Sequence, residues 1–302
     1  MCDDRELNAV FSALKVLDPD GQKFSHVLRN TLDQLYDGQR TGRYDWDQLR
    51  KTEKTHGGTL VEINLQREFD FKDGNAVDYS IEGVEVDCKF SGKLGGWMIP
   101  PENVGTLCLV VWANDRQSKW SLGLIRPKDA LLVKGNRDKK RQLKKPDGME
   151  TIRWLFDREP LPTNALLKMP SETIERIMSQ TTGQQKVNEL FRSSTNILIS
   201  RTVVATVAQQ KDPLKRVRRN GGARSHLKSD GIIILGGYKN HQRIAEELGV
   251  VIPGQGEFVS VQITNASGSA PGTTKIGGSF WRVAGDRDTI VTAPALPNLG
   301  RV

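Results

Sequence analysis

The sequence predicts an α/β protein in two parts: a mixed sheet flanked by helices, then helices followed by strand-like runs. Three observations carry this. Apolar residues recur at helical spacing through the first 69 positions and at period two from Val84 to Phe90. A proline-bearing break, Arg158-Glu159-Pro160-Leu161-Pro162-Thr163, interrupts the pattern near the middle. The second half reopens with helical segments and closes with strand-like ones.

Taken in order, Leu7, Phe11, Leu14 and Leu17 mark a first amphipathic helix, stopped by Asp18-Pro19-Asp20-Gly21. Phe24, Val27, Leu28, Leu32 and Leu35 mark a second, with Gly38 as its expected C-terminal cap. Gly58–Phe69 reads as a third, with Leu60 and Ile63 buried and Leu65 and Phe69 as further core candidates. Two strands follow around the Glu82-Gly83 turn. The apolar runs Thr106–Trp112 and Trp120–Ile125 read as further strands, and the charged run Arg137–Arg141 as an exposed helix. The break at 158–163 is the expected linker, dividing domains at 1–160 and 161–302.

In the second half, Val187–Arg192 and Ser200–Val207 read as helices. Asp212-Pro213, an N-cap followed by proline at the first helical position, opens a basic helix over Leu214–Arg219. Leu214 and Val217 would face a core, and Lys215, Arg216, Arg218 and Arg219 would face outward. Strand-like runs at Ile232–Leu235, Phe258–Val261 and Phe280–Val283 would supply wings. That order reads as a winged helix-turn-helix, whose helix enters the DNA major groove.

Charge separates the halves. Residues 1–160 carry 26 Lys+Arg and 26 Asp+Glu, whereas 161–302 carry 18 against 10, the whole net charge of +8. Residues 211–228 hold seven Lys or Arg, including Arg224, against Asp212 alone, which points to a polyanionic partner. No apolar run approaches ~20 residues, so no membrane span is expected. The N-terminus is polar and lacks a signal peptide. Cys2, Cys88 and Cys108 fit no disulfide or zinc spacing and suggest a reducing, cytoplasmic setting.

The chemistry concentrates at Asp87-Cys88-Lys89. Val84, Val86, Cys88 and Phe90 alternate with Glu85, Asp87 and Lys89, so Asp87 and Lys89 share one face of a strand and Cys88 packs into the core. The Glu82-Gly83 turn brings Asp78 back beside them. Two carboxylates and a lysine at one point suit metal-dependent phosphodiester hydrolysis, since hard oxygens hold Mg²⁺ and an ammonium positions or deprotonates water. Glu62, among apolar neighbours where an unpaired carboxylate is costly, is a third acid for the same place.

Glu62, Asp78 and Asp87-Cys88-Lys89 resemble the active site of the PD-(D/E)xK nucleases, with Val77 where that pattern has proline. The similarity narrows to the NaeI-type restriction endonucleases through Leu32–Gln39, Lys51–His56, Val86–Ser91 and Trp97–Glu102, and downstream through Ala205–Gln210, Arg216–Arg218, Gly221–Ser225 and Gly231–Gly236. It runs from about residue 30 to the C-terminus. It implies a restriction-endonuclease-like catalytic domain and a catabolite-activator-like winged helix. Asp78, Asp87 and the Cys88 carbonyl would hold Mg²⁺, Glu62 would be an outer ligand or water positioner, and Lys89 would act on the water. The products would carry 5′-phosphate and 3′-hydroxyl ends. The resemblance further implies a homodimer on double-stranded DNA, a palindromic target, GCCGGC, and activation by a second copy of that site. Lys93, in the glycine-rich loop Ser91–Trp97, reads equally as a DNA contact and as a solvated side chain.

Two rivals come from other classes. A winged-helix transcriptional regulator explains 211–228 and leaves Glu62, Asp78, Asp87 and Lys89 without a purpose. A ligase or topoisomerase-like enzyme is suggested by Leu35-Tyr36-Asp37-Gly38, similar to the K-x-D-G box of DNA ligases. Leu35 stands where the nucleophilic lysine would be, and it continues the apolar stripe of its helix.

Overall fold

The structure is a computed structural model that describes residues 4–297, so Cys2 lies outside the described residues. The chain divides into two compact units. One comprises the chain up to Tyr36 together with Asp45–Thr163, and the other Asp37–Tyr44 with the chain from Asn164 onward.

In the first unit, helix α1 (Arg5–Leu17) starts where Asp4 accepts the Leu7 N–H at 3.1 Å. It ends at Asp18, whose buried carboxylate accepts the Phe24 N–H at 2.9 Å in the first turn of α2 (Gln22–Tyr36). The acid of the helix-stopping tetrapeptide thus caps the next helix. Gly38 is not the C-cap of α2. Asp37 takes the left-handed conformation there (φ 49°), and Gly38 opens the short helix α3 (Gly38–Thr41) of the second unit. A side chain at Gly38 would collide with Thr206, and this close approach accounts for the glycine. Gln39 donates to the Gln210 carbonyl at 2.7 Å and Asn164 to the Tyr44 carbonyl at 2.9 Å, tying 37–44 into the second unit.

Helix α4 (Lys51–Phe69) extends further toward the N-terminus than the apolar pattern showed. It buries Val61, Leu65 and Phe69, while Ile63, two positions from both Val61 and Leu65 and so on the opposite side of the helix, is 38% exposed. The strands β1 (Lys72–Asp73), β2 (Tyr79–Ile81), β3 (Val84–Ser91), β4 (Leu107–Asn114), β5 (Lys119–Ile125) and, after helix α5 (Asp147–Glu150), β6 (Arg153–Pro160) form one sheet in sequence order. Only β3 and β4 run parallel; every other pair is antiparallel. In β4, Leu107, Leu109 and Val111 join the core with α1, α2 and α4, and Cys108, Val110 and Trp112 join a second core with Trp97, Ile99 and Leu143. Burial on both faces explains its unbroken apolar run.

Two other expectations change here. Arg137–Arg141 is an exposed turn with Lys139 at φ 59°, tied down by an Ile99–Arg141 bridge, because Asn136 accepts both the Asp138 and Lys140 N–H groups at 3.0 Å. Arg158-Glu159-Pro160 is not linker but the end of β6, an edge strand, where a missing N–H is tolerated.

The second unit continues with α6 (Ser171–Met178), α7 (Gly183–Ser193), β7 (Ile199–Ser200) and α8 (Arg201–Ala208). The basic helix expected over 214–219 is a single 3-10 turn, Pro213–Val217, followed by α9 (Ala223–His226). Asp212 makes no side-chain cap bond, its carboxylate pairing with Lys215 at 2.8 Å instead, and Asn220-Gly221-Gly222 separates the two pieces. Then come β8 (Ile232–Gly236), α10 (Lys239–Leu248), β9 (Glu257–Ala266), β10 (Thr273–Ile276) and β11 (Ser279–Val283). Both β7 and β8 pair with Phe258 of β9, so they flank it on opposite sides. No helix of the described residues is long and apolar enough to cross a membrane.

Candidate active site

A tight hairpin assembles the site. β2 and β3 meet with Ile81 opposite Val84, and Glu82 (φ 51°) and Gly83 (φ 75°) both take the left-handed conformation that a two-residue hairpin of this twist demands. The register brings Asp78 level with the middle of β3, where its Oδ2 accepts the Cys88 N–H at 2.7 Å. Asp87 and Lys89, two apart, share the other face of β3. Lys89 Nζ donates to Asp87 Oδ1 at 2.6 Å and lies 2.5 Å from Oδ2. It also reaches the Cys88 carbonyl at 3.4 Å.

Asp87 is 4% exposed, opposite Cys108 of the parallel strand β4, with the Cys108 Sγ 3.7 Å from Oδ2 and the Asn103 side chain also bonded to it. Burial pushes the Asp87 carboxyl up from the usual carboxylate range, against the pull of the Lys89 ammonium. At Lys89 burial favours the neutral amine, and the hydrogen bond and charge of Asp87 outweigh it, holding the ammonium above the ordinary lysine value. Glu62 comes from α4, where its main-chain carbonyl accepts the Tyr79 hydroxyl at 2.8 Å and so fastens the helix to the hairpin. Burial pushes the Glu62 carboxyl up, Asp78 and Asp87 add to that, and Lys89 opposes it. The four predicted residues therefore act on one another electrostatically. Cys88 is buried with its thiol pushed up by desolvation, as befits core and not a nucleophile.

Among the described residues, no three His, Cys, Asp or Glu side chains are gathered closely enough to hold a metal ion by themselves. The donors here are instead two carboxylates and a main-chain carbonyl, all hard oxygens, and like-charge repulsion among Asp78, Asp87 and Glu62 is of the kind a divalent cation relieves. The set fits a hard cation.

A cavity of about 850 Å³ opens beside the site. It is lined by Lys89 and by Lys51, Lys54 and Lys140. Sequence reasoning missed these three. Lys51 and Lys54 sit three apart in the first turn of α4, a spacing that puts them on one side, and Lys140 lies in the turn expected to be a helix. Lys93 is exposed and lines a different cavity with Asp45 and Arg116.

The remaining predicted contacts lie in the second unit. Lys215 pairs with Asp212, Arg216 Nε donates to Gln210 Oε1 at 2.5 Å, and Arg218 and Arg219 are exposed. Arg224 is half-buried, with Nε on the Ile234 carbonyl at 2.8 Å. Leu35, in place of a ligase-type lysine, is buried in the helical core.

An acidic hairpin with a paired lysine, set against a lysine-lined cavity, is the equipment of a phosphodiester-cleaving enzyme. The family model of the restriction endonuclease NaeI matches residues 8–292. A type II restriction enzyme, NaeI of Lentzea aerocolonigenes, is 49% identical over 301 residues, covering 97% of this chain and 95% of that protein. The chain belongs to the NaeI restriction endonuclease family.

Proposed function

We propose that this chain makes Mg²⁺-dependent double-strand cuts in DNA, with the reaction carried by Asp78, Asp87, Cys88, Lys89 and Glu62. As a family member it is a type II site-specific deoxyribonuclease, and enzymes of that class generally use divalent metal ions. The observation that carries the reading is the Asp87–Lys89 pair, with Asp78 bonded to the Cys88 N–H between them, beside a cavity lined by four lysines. Asp78, Asp87 and the Cys88 carbonyl would hold the cation. When bound it neutralises charge on the scissile phosphate and makes water a better nucleophile.

The chain's own residues do the rest. Lys89, kept charged by Asp87, orients water and meets the charge that grows on the phosphate. Glu62, its carboxyl pushed up by burial and by the neighbouring Asp78, positions a water from the helix side. Lys51, Lys54 and Lys140 hold the flanking phosphates and supply affinity without sequence preference.

The second unit is read as a winged helix that binds DNA. In its favour are the strand order β7-β9-β8 and the packing of α7 against α8, the 213–217 turn and α9, and on this reading 213–226 would be the segment that meets DNA. The 3-10 turn weakens a regular recognition helix, and Arg218 and Arg219 on the exposed side are the residues best placed to meet DNA. The same reading includes a homodimer on a palindromic site, GCCGGC, and activation by a second copy of it. Plasmid digestion tests the whole. Discrete fragments in Mg²⁺, none in EDTA and none with Asp87→Ala would support it. A shifted but uncut band would favour a regulator, and a ladder of topoisomers a topoisomerase.

A further inference from the structure

In the second unit a cavity of about 630 Å³ is lined by four cationic side chains, Arg218, Arg219, Arg224 and Lys228, and among the described residues no carboxylate lines it. Its wall is apolar, formed by Val217, Ile234 and Phe258 among others, with Tyr238 at 42% exposure beside it. The volume is that of a site for a small organic ligand.

Two residues that line it each carry a buried donor with no acceptor among the described residues. Arg224 is anchored by Nε on the Ile234 carbonyl, which aims the far end of its guanidinium, and Nη2 is buried with no partner among the described residues. His241 accepts the Gly236 N–H on Nδ1 at 3.1 Å, so its neutral ring carries the proton on Nε2. That Nε2 is also buried with no partner among the described residues. Buried donors are almost always satisfied, and here both belong to residues lining one cavity whose only charges are positive. Desolvation lowers both groups, His241 to about 4. The geometry points to an acceptor beyond the described residues.

We propose that this cavity binds a mononucleotide, its phosphate accepting from Arg224 and His241 and its ring resting on the apolar wall. The four cations suit a phosphate dianion over a carboxylate. The Phe258 ring, 5.9 Å beneath the Arg224 guanidinium, together with Tyr238, suits a flat ring over an aliphatic chain. The nucleotide could be free in solution or part of a DNA strand; the phosphate-and-ring chemistry is shared. The proposal goes beyond the nuclease reading and does not depend on whether this unit grips duplex DNA.

The test is calorimetric titration of the full chain with deoxyguanosine 5′-monophosphate, with inorganic phosphate and with deoxyguanosine. Saturable binding of the nucleotide, about tenfold or more tighter than phosphate alone, is expected, with none for the nucleoside. Arg224→Gln should weaken the nucleotide about tenfold or more. Tyr238→Ala, which leaves the Ile234 anchor intact, should erase the advantage over phosphate while phosphate still binds. Thermal unfolding of each variant checks that it is folded, and His241→Gln serves in place of Arg224→Gln if that variant is not. A duplex oligonucleotide that displaces the nucleotide assigns the site to a DNA strand; one that binds without displacing it assigns the site to the free nucleotide. Absence of heat with the nucleotide, or wild-type affinity in both donor variants, overturns the proposal.

Discussion

The two units treat buried positive charge in opposite ways. In the first, Lys89 has Asp87 at 2.5 Å, and Arg29 has Asp33 at 2.7 Å and Asp115 at 2.5 Å, with Tyr36 donating to the same Asp115 at 2.9 Å. In the second, Arg224 has no carboxylate beside it in the cavity it lines, and its Nη2 and the Nε2 of the neutral His241 are buried with no partner among the described residues. The sequence totals say the same: the first unit carries 24 Lys+Arg against 25 Asp+Glu, and the second 20 against 11. Where a charge is compensated inside the chain it fixes the place of a reacting group and holds its protonation state. Where it is not, compensation must come from outside, and a polyanion is the obvious source. The comparison can be broken at either end.

The largest effect belongs to the compensated side. Asp78→Ala, Asp87→Ala and Lys89→Ala should each lower the cleavage rate by about 10³-fold or more, because hydrolysis needs all three together. DNA affinity, spread over many phosphate contacts, should change little. Glu62→Ala should be milder than Asp87→Ala if Glu62 works through a water. Single-turnover cleavage beside a gel-shift titration reads both, and near wild-type cutting by Lys89→Ala would sink the assignment.

Next comes stability. Asp115→Ala leaves the 8% exposed Arg29 without its closest partner and removes the acceptor of Tyr36. Breaking a buried pair in this way costs about 3–5 kcal/mol, seen as a fall in the unfolding temperature on the order of 10 °C. A change no larger than that of a surface substitution would mean that the network is not what holds α2 against the end of β4.

These residues also mark how much was legible. Asp78, Asp87 and Lys89 could be placed from the sequence because period two and a two-residue turn fix geometry locally; no distant contact is needed to know which side they share. The runs that form β8 and β9 were legible as strands, but the pairing of β7 and β8 on opposite sides of β9 was not, since it depends on contacts across up to about 60 residues. Helix α10 between β8 and β9 and the edge strand β6 gave weak patterns, the first mostly polar and the second ending in charged residues and proline. Arg216 through Arg219 looked helical by capping rules. The neighbouring glycines, and the burial of Val217 at the end of a short turn, prevailed over them. Ile63 shows the finer limit: a small error in placing the helical stripe turns core into surface.

On the uncompensated side, His241 makes the second unit sensitive to acid. Its folded value of about 4 lies below the ordinary 6.5, so the folded state resists protonation. The stability it contributes is complete above about pH 6.5 and is lost as pH falls through that value toward 4, amounting to about 3 kcal/mol at the most. Urea unfolding at pH 7 and pH 5 should show this loss in the intact protein and less of it in His241→Gln. Saturating deoxyguanosine monophosphate should shrink it too, since an anion beside the ring favours its protonated form. Equal pH dependence in both proteins would remove His241 from the account.

The smallest effect, and the one that most sharpens the comparison, concerns Arg218 and Arg219. Both are exposed beyond the 213–217 turn. Arg216 is half-buried and donates to Gln210, and its carbonyl accepts from Gln184 at 3.0 Å. Exposed cations can be neutralised without disturbing the fold, so Arg218→Gln with Arg219→Gln should leave catalysis at a fixed site intact. If the second unit takes a second copy of the target, a short duplex carrying that site should speed cutting of a one-site plasmid by the intact protein. A ligand shifts a two-state equilibrium only through tighter binding to one state, and such couplings amount to about 5–150-fold. The double variant should show the slow one-site rate and little response to added duplex. Adding Arg216→Gln should deepen the defect and also lower the unfolding temperature, because that residue serves the fold as well. The measurement is the initial rate against duplex concentration. Stimulation that is the same in both proteins would place the effector surface elsewhere, and absence of stimulation in the intact protein would confine the second unit's positive charge to gripping the substrate itself.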